Sequence, residues 1–519
     1  MPARNAYELL KDRFAQMSHL GHAASILNVD AQVSMAAGSA ADRTGQVIAI
    51  ASAAHMMMTA PDVAQWLDAA EKDKAALPAG DQRNLELMRR SWVHATALSK
   101  DLAEEIARIE SEGEHLHVQY KKTGDWAKMR DWYKHAFDTA RAVGTAKMAK
   151  LGVATPYEAL LDSFSPGMTS ARIDAEFAKL EAHLPAIIRA AVDRQKDLPP
   201  ALPLKSYPVE QQVELCRAIA IAMGFDTNRG VISVIDGHPS CNGSPDDIRF
   251  TLGCTPDNFL EAVYSTIHEA GHGIYDQNRP AAWRYQPAGE HLGMNVHESQ
   301  SRIMEVQACH TPEFFRFLER AARAAFNEPV EPSLSATNLE RLVNTAKPSF
   351  IRTEADEVTY AVHVMLRYRI EKAMVNGEMT IDDLPKVWND GLKDMLGITP
   401  PHAGQGHMQD VHWPCGLVGY FPAYTLGDMG AAQLYASATK ARPDIAAELE
   451  KGNFTPLRTW LNDNVHGKGS LLPTDEMFRQ ASGEALNADY LLNHLSQRYL
   501  GKPFTASCTL STDSKHKFG

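Results

Sequence analysis

The sequence predicts a mainly α-helical protein that folds as one large unit with a small β element. Apolar residues recur at spacings of three and four along most of the 519 residues, which is the pattern of helices that bury one face. Short β-branched runs are confined to residues 226–254. No linker rich in Pro, Gly and Ser is long enough to divide the chain into independent domains.

The helical pattern occurs in ten segments, which turn-forming sequences separate from one another. They cover residues 6–27, 46–73, 84–122, 124–151, 172–194, 208–223, 256–276, 297–326, 337–347 and 355–376. Within the single unit, which spans residues 1–519, we distinguish a helical N-terminal half (about 1–225), a motif-bearing region (about 226–430) and a helical C-terminal part (about 431–519).

The β element is predicted from two β-branched runs, Val231 to Ile235 and Ile248 to Leu252. A bend rich in Gly, Pro and Asn lies between them. The pattern predicts a small hairpin or two short strands just before the helical segment 256–276.

The composition is that of an ordinary globular protein and argues against several kinds of partner. The formal net charge is −12 and Lys and Arg form no basic runs, so we expect no nucleic acid partner. The first residues carry mixed charge and the longest apolar stretch is too short to span a bilayer, so we expect neither export nor a membrane partner. Six scattered cysteines fit free thiols in a reducing compartment, which predicts a cytoplasmic protein.

The stretch YSTIHEAGHGIYDQN, residues 264–278, carries the strongest chemical signal. His268 and His272 are four positions apart, so on a helix their imidazoles share one face and can bind one divalent cation. Glu269 is turned roughly 100° away by the helical pitch, where it would act as a general base on water. The alternative is that two solvent-facing histidines lie on a polar helix face by chance.

The same helix has a plausible start and two unusual glycines. Thr255 is predicted to cap it and Pro256 to occupy its first position. Gly271 and Gly273 flank the second histidine, and we expect them to leave room there for a substrate.

The third metal ligand decides the class of site. A metzincin would need Gly and His where this chain has Tyr275 and Asn278, so that class is excluded. A later glutamate is the other common solution. Glu290, Glu298 and Glu305 follow, and Glu290 lies in a loop that suits a rigid ligand poorly. Spacing alone does not choose between Glu298 and Glu305.

Several further motifs give the chain a family resemblance. HEAGH is followed 25 residues later by HESQSR, and other matching stretches occur in family order, namely DDIRFT (Asp247 to Thr251), IRTEADEVTY (Ile351 to Tyr360), GHMQDVHW (Gly406 to Trp413) and GYFPAYTLG (Gly419 to Gly427). Together they resemble the M32 metallocarboxypeptidases, the carboxypeptidase Taq family.

The resemblance implies a single helical catalytic unit of the gluzincin type with a deep substrate groove, usually in a homodimer. It implies removal of single C-terminal residues from peptides, with broad specificity and poor action on C-terminal proline. One divalent metal per subunit is implied, zinc or alternatively cobalt. The family's carboxylate ligand corresponds to Glu298.

A carboxypeptidase must recognise a free C-terminal carboxylate, for which an arginine fork is suited. Arg352 and Arg249 both lie in matching motifs, and we favour Arg352. The alternative for Arg352 is an ion pair with Asp356, one turn along the same predicted helix.

Other candidates come from the same motifs. His412, Tyr420 and Tyr424 are candidate donors to a developing oxyanion or packing residues near the groove, and His238 lines the site or is a turn residue before Pro239. Gln409 and Asp410 are candidates to orient a ligand histidine, although Asp410 would equally suit a helix cap.

Two departures from the family pattern bear on side-chain preference. The family's His-Pro-Phe appears as His238 to Ser240, and its Trp-Asp and Met-Pro pairs appear within Asn28 to Asp30 and Met35 to Ala37.

Two rival functions stay open. One is an endopeptidase or oligopeptidase with the same metal site. The other is a catalytically silent, metal-stabilised binding protein, but the presence of Glu269 argues against this second rival.

Overall fold

A computed structural model of the chain describes residues 5–235, 237 and 239–505, with the backbone alone at positions 37 and 111. His238, one of the candidate site residues, and Cys508 lie outside the described residues. The five other cysteines are free thiols, as predicted for them.

Helices dominate the described chain, which confirms the predicted fold class. In order they are α1 (Ala6–Val33), α2 (Ala40–Thr59), α3 (Pro61–Lys72), α4 (Ala79–Thr96), α5 (Lys100–Lys121), α6 (Trp126–Leu151), α7 (Pro156–Phe164), α8 (Ser170–Gln195), α9 (Val209–Met223), α10 (Phe259–Gln277), α11 (Met294–Arg302), α12 (Pro312–Phe326), α13 (Ala336–Val343), α14 (Tyr360–Asn376), α15 (Leu384–Leu396), α16 (Pro422–Ala441), α17 (Ile445–Glu450), α18 (Thr455–Asn464), α19 (Thr474–Ser482) and α20 (Asp489–Leu495).

The β element is a three-stranded sheet of β1 (Gly230–Val234), β2 (Cys241–Ser244) and β3 (Asp247–Leu252) in the order β1-β3-β2. The two predicted β-branched runs are neighbours, but they run parallel, with Ile232 opposite Phe250. The hairpin partner of β3 is β2, which pairs with it antiparallel. Its sequence, CNGS, contains no β-branched residue, so the pattern could not reveal it.

Several predicted helical segments are interrupted. Segment 297–326 comprises α11, a π-helical turn at Ile303–Ala308, and α12. The break falls where Thr311 caps α12 and Pro312 occupies its first position, because proline cannot donate the backbone hydrogen bond that would continue the preceding helix. Segment 355–376 begins late, at Tyr360, after a short 3-10 turn at Arg352–Glu354.

The buried apolar residues form two separate clusters. The smaller contains residues of α1, α3 and α4, among them Leu10, Leu67 and Met88. The larger runs from α6 through the sheet to the C-terminal helices. Between the N-terminal helices and the rest of the chain, polar contacts are prominent: Asn84 donates to Gln286 at 3.2 Å and accepts from the backbone of Ala288 at 3.0 Å.

In the described ranges, no single helix is long and apolar enough to cross a membrane; only α2 and α3 taken together, with a 46° bend between them, meet that test by length and composition.

Candidate metal centre

The two histidines of HEAGH and Glu298 converge at one point in the molecule. The Nε2 atoms of His268 and His272 are 3.2 Å apart. The Oε2 atom of Glu298 lies 3.8 Å from the first and 3.7 Å from the second. Within the part of the chain that the structure describes, this is the one group of three such side chains with all ligand atoms within 4.8 Å of one another.

This triangle fits a divalent metal. Ligands at about 2.0–2.1 Å in a tetrahedral arrangement lie roughly 3.3 Å apart, close to the observed spacings. Two imidazole nitrogens and one carboxylate oxygen are a donor set that metalloproteases use, with the fourth position open for water or substrate. His272 and Glu298 are buried, while His268 is partly accessible.

Helix α10 begins later than predicted. It starts at Phe259 after Asn258, and Thr255 does not cap it. The carbonyl of Thr255 accepts from the side chain of Gln212 at 2.9 Å, and that of Pro256 accepts from the backbone of Tyr207 at 2.8 Å. Because these carbonyls already accept hydrogen bonds from residues before the sheet, the helical hydrogen bonds begin only afterwards.

The glycines beside His272 serve helix packing, so the expectation that they leave room for substrate is wrong. A Cβ atom on Gly271 would lie 2.7 Å from the Cα of Ser301 in α11. One on Gly273 would lie 2.9 Å from the ring of Phe225 and 3.2 Å from Ile248. The bare backbone at these positions lets α11 and the sheet approach α10 closely, which brings Glu298 next to the histidines.

Helix α16 holds α11 from the opposite side. A Cβ atom on Gly427 would lie 2.6 Å from the Cβ of Glu298. The Cβ atom and backbone of Glu298 are thus closely packed between α10 and α16, which restricts where its carboxylate can lie.

The other two candidate glutamates have different partners. Glu305 accepts a hydrogen bond from Nδ1 of His268 at 2.8 Å. It also accepts from Arg302 at 2.8 Å, and Arg302 in turn donates to Asp428 at 2.6 Å. Although burial opposes it, Arg302 and His268 lower the pKa of Glu305 to about 2. A carboxylate on the second nitrogen of a ligand histidine orients its ring and fixes its tautomer.

Glu290 instead forms an ion pair with Arg279 and lies away from the three converging side chains. Glu305 lies in the π-helical turn Ile303–Ala308, and its carboxylate approaches Nδ1 of His268, whereas that of Glu298 approaches Nε2. The sequence could not reveal this π-helical turn.

His272 is oriented by a residue that the motif analysis did not assign. Its Nδ1 lies 2.5 Å from Nδ1 of His297, whose Nε2 lies 3.2 Å from Oδ2 of Asp276. With Nε2 of His272 directed at the metal position, its Nδ1 carries the proton and donates to His297, which then donates to Asp276. His297 is the first residue of HESQSR. Its position next to Glu298 was the feature of the sequence that could have indicated a role near the metal.

Glu269 is 6% exposed and lies beside the triangle. Burial raises its pKa to about 7, and the charges of Glu298 and Glu305 add to this effect while His268 opposes it. A carboxylate with a pKa near neutrality can both take up and release a proton during turnover.

The sequence of this chain matches a known protein family over most of its length. The family profile described as carboxypeptidase Taq (M32) metallopeptidase matches residues 9–499. The chain belongs to the M32 family of metallocarboxypeptidases.

Relatives of this metallocarboxypeptidase match it over nearly the whole chain. Thermostable carboxypeptidase 1 of Thermus thermophilus is 31% identical over 517 residues, which cover 96% of this chain and 99% of that protein. Carboxypeptidase 1 of Bacillus subtilis is 30% identical over 498 residues, with 95% and 97% covered. The solved structure of Trypanosoma cruzi metallocarboxypeptidase 1 superposes with a TM-score of 0.92 at 31% identity, over 95% of this chain and 99% of that chain. This protein is therefore a peptide hydrolase that uses a divalent metal.

The metallocarboxypeptidase has a buried arginine pair near the metal centre. Arg352 is 6% exposed and donates from Nε to Asp410 at 3.0 Å and from Nη1 to the hydroxyl of Tyr360 at 3.0 Å. Arg367 is fully buried and donates to the other oxygen of Asp410 at 2.5–2.7 Å. Two guanidinium groups share one carboxylate, so the cluster carries a net positive charge.

For this cluster, the structure contradicts the alternative proposed for Arg352 and two predictions about its neighbours. Arg352 does not pair with Asp356 along a helix, because the chain turns at Arg352–Glu354 before α14 begins. Asp356 instead accepts from the backbone of Val358 and Thr359. Neither Gln409 nor Asp410 orients a ligand histidine.

Gln409 accepts from the backbone of Arg352 at 2.7 Å, while Asp410 binds the two arginines. Both neighbours in the motif therefore hold the arginine cluster. The reason lies in long-range packing, which brings the loop of GHMQDVHW against Arg352 rather than against α10.

Arg249, the other candidate arginine, points both arms of its fork at Asp247, at 3.0 Å each. Its bidentate geometry is thus occupied by a neighbour on the same strand. Ser240, where the family pattern has an aromatic residue, hydrogen-bonds with Gln32 of α1 at 3.0 Å.

The tyrosine candidates line the space between the arginine cluster and Glu298. The ring of Tyr424 lies 4.7 Å from the Arg352 guanidinium, and its hydroxyl lies 3.2 Å from Nε2 of His412. Burial raises the pKa of Tyr424, and the nearby charge of Glu298 adds to this effect. Tyr420 packs against Tyr424 and against Phe164, with ring centroids 5.2 and 5.1 Å away.

Proposed function

We propose that this metallocarboxypeptidase releases single C-terminal amino acids from peptides, with His268, His272 and Glu298 as metal ligands and Glu269 as general base. The observation that carries the proposal is the net positive charge of the buried Arg352, Arg367 and Asp410 cluster, close to the converging ligands. A substrate carboxylate would supply the missing negative charge, which an internal peptide bond cannot do.

Arg352 is the favoured anchor. Its Nη2 has no hydrogen bond to the residues that the structure describes, so one arm of its fork remains for a ligand. Tyr424 and Phe421 lie over its guanidinium, 4.7 and 5.5 Å from their ring centroids. These rings keep water from the cation and strengthen its attraction for a carboxylate.

Hydrolysis of the last peptide bond would use the metal and several residues of the chain. A divalent ion held by His268, His272 and Glu298, zinc or alternatively cobalt, would polarise the scissile carbonyl and make the attacking water more acidic. Glu269 takes the proton of the attacking water on its carboxylate and delivers it to the leaving amine nitrogen. The hydroxyls of Tyr420 and Tyr424, with His412, are the candidate donors to the carbonyl oxygen as it gains charge.

Replacing Glu269 with Gln tests the base. We expect Glu269→Gln to bind zinc as the wild type does and to lose more than about 100-fold in kcat, because the amide cannot accept the proton. Metal content by elemental analysis and release of free amino acids from a peptide would be measured together. Near-normal turnover of the substituted protein would refute the role of Glu269.

Replacing Arg352 with Ala tests the anchor. The lost charged hydrogen bonds should raise KM for a peptide with a free carboxylate roughly 10- to 100-fold, with unchanged zinc affinity. Arg249→Ala is the matched control and should change KM much less, since Asp247 already occupies that fork. Equal loss of zinc and substrate binding in Arg352→Ala would indicate a structural role instead.

The rival endopeptidase function predicts internal fragments and cleavage of C-terminally amidated peptides. We expect instead that single amino acids are released from peptides with a free C-terminus, and that C-terminally amidated peptides are not cleaved. Broad side-chain specificity, poor action on C-terminal proline, the homodimer and the cytoplasmic location remain predictions from the sequence and the family resemblance.

A further inference from the structure

Tyr360, the first residue of α14, contacts two clusters that serve different parts of the proposed site. Its hydroxyl accepts a hydrogen bond from Nη1 of Arg352 at 3.0 Å. The face of its ring lies 5.2 Å from the guanidinium carbon of Arg302. Tyr360 is the last residue of the motif IRTEADEVTY, and the sequence predicted no role for it.

The contact with Arg302 leads to the metal centre in two steps. Arg302 donates to Glu305 at 2.8 Å, and Glu305 accepts from Nδ1 of His268 at 2.8 Å. Asp428, which is 5% exposed, holds the other side of the Arg302 guanidinium at 2.6 Å. The tyrosine ring covers this guanidinium and thus helps to fix the carboxylate that orients His268.

The contact with Arg352 leads to the proposed carboxylate anchor. Asp410 accepts from Nε and Tyr360 accepts from Nη1, so Nη2 is the arm that has no hydrogen bond to the described residues. Since both contacts restrict the same planar group, the tyrosine hydroxyl sets the direction in which the remaining arm points.

A carboxypeptidase that removes one residue needs a fixed separation between the carboxylate anchor and the metal, because consecutive Cα atoms in a peptide are always 3.8 Å apart. We propose that Tyr360 is a positioning residue that fixes this separation, with its hydroxyl on the anchor arginine Arg352 and its ring on Arg302. The proposal rests on the proposed function, because it requires Arg352 to bind the substrate carboxylate.

Two substitutions separate the two contacts. Tyr360→Phe keeps the ring over Arg302 and removes the hydroxyl. It should raise KM for a peptide with a free carboxylate about tenfold, leave kcat within about twofold, and leave zinc affinity unchanged. Tyr360→Leu removes both contacts and should also weaken zinc binding by several-fold, measured by chelator competition with the metal-free protein.

Tyr368→Phe is the matched control. Tyr368 lies on the same helix, is 2% exposed, and donates its hydroxyl to Asp174 at 2.7 Å, away from both clusters. The same loss of a buried hydroxyl there should leave KM and zinc affinity unchanged. A loss of zinc affinity in Tyr360→Phe equal to that in Tyr360→Leu, or an unchanged zinc affinity in Tyr360→Leu, would overturn the proposal.

Calorimetric binding of a dipeptide and of its C-terminal amide to the zinc-loaded Glu269→Gln protein distinguishes this proposal from the proposed function. We expect the dipeptide to bind more tightly than the amide, and Tyr360→Phe in the same background to reduce that difference about tenfold. Equal binding of acid and amide before the tyrosine is changed would refute the anchor itself. A preference for the acid that Tyr360→Phe leaves intact would refute the role of Tyr360 alone.

Discussion

At the scale of single residues, three glutamates that follow the HEAGH motif have different roles, and only two of them belong to the metal centre. Glu298 converges with the imidazoles, Glu305 orients His268, and Glu290 pairs with Arg279. A ligand contributes directly to metal affinity, whereas a residue that orients a ligand typically contributes 10- to 100-fold. Substitutions of the three residues should therefore reduce metal affinity to different extents.

We expect Glu298→Gln to lose more than about 100-fold in zinc affinity, Glu305→Gln about 10- to 100-fold, and Glu290→Gln none that is measurable. Chelator competition on each purified protein would measure the series. A loss in Glu305→Gln as large as that in Glu298→Gln would mean that Glu305 is the ligand.

Much of this centre could be predicted from the sequence, because the i, i+4 spacing of His268 and His272 depends only on helical geometry. Spacing alone could not choose between Glu298 and Glu305, whereas the family resemblance implied Glu298. The π-helical turn at Ile303–Ala308, which contains Glu305, has no signal in the spacing of these residues. His297 was missed for a related reason, since its contact with His272 joins two helices and no spacing rule describes it.

At the scale of secondary structure elements, close approach of α10, α11 and α16 is what brings the ligands together. Gly271 lets α11 approach α10, and Gly427 lets α16 approach α11. The helix pattern predicted that these helices exist and which faces are apolar. It did not predict that glycines set their separation, because the neighbour of a glycine is a property of the tertiary structure.

We expect Gly427→Ala to displace Glu298, since the added methyl would lie 2.6 Å from its Cβ. Zinc affinity and the midpoint of thermal unfolding should both fall, with a stability loss of about 1–3 kcal/mol. Gly45→Ala in α2 is the control, because a Cβ there meets no atom within 4 Å. It should stabilise the helix by up to about 1 kcal/mol and leave zinc affinity unchanged. Unaltered zinc affinity in Gly427→Ala would contradict the packing argument.

At the scale of the whole molecule, a buried carboxyl group joins distant parts of the chain. Glu371 of α14 is fully buried and accepts from the hydroxyl of Tyr157 in α7 at 3.0 Å. It also accepts from the indole of Trp413 at 2.9 Å and the backbone of Gly419 at 3.1 Å. Burial raises its pKa to about 8, although these donors oppose the effect.

The native protein therefore holds a proton on Glu371 that the unfolded chain, with an ordinary pKa of 4.5, releases. Because the folded state binds more protons between about pH 4.5 and 8, the stabilising contribution is present at the acid end and is lost as pH rises. We expect the unfolding midpoint of the wild type to fall across this range by more than that of Glu371→Gln, which cannot ionise. Glu378→Gln, at an exposed position just after α14, should retain the wild-type slope. Identical slopes in all three proteins would refute the raised pKa.

The separate apolar cluster of α1, α3 and α4 has a consequence for how the enzyme tolerates change. Substitutions such as Leu67→Ala would weaken the N-terminal helices without disturbing the residues that pack behind α10 and α11. The contact of Gln32 in α1 with Ser240 can thus vary in sequence while His268, His272 and Glu298 stay in place. Changes in sequence can therefore accumulate among the N-terminal helices at little risk to the metal centre.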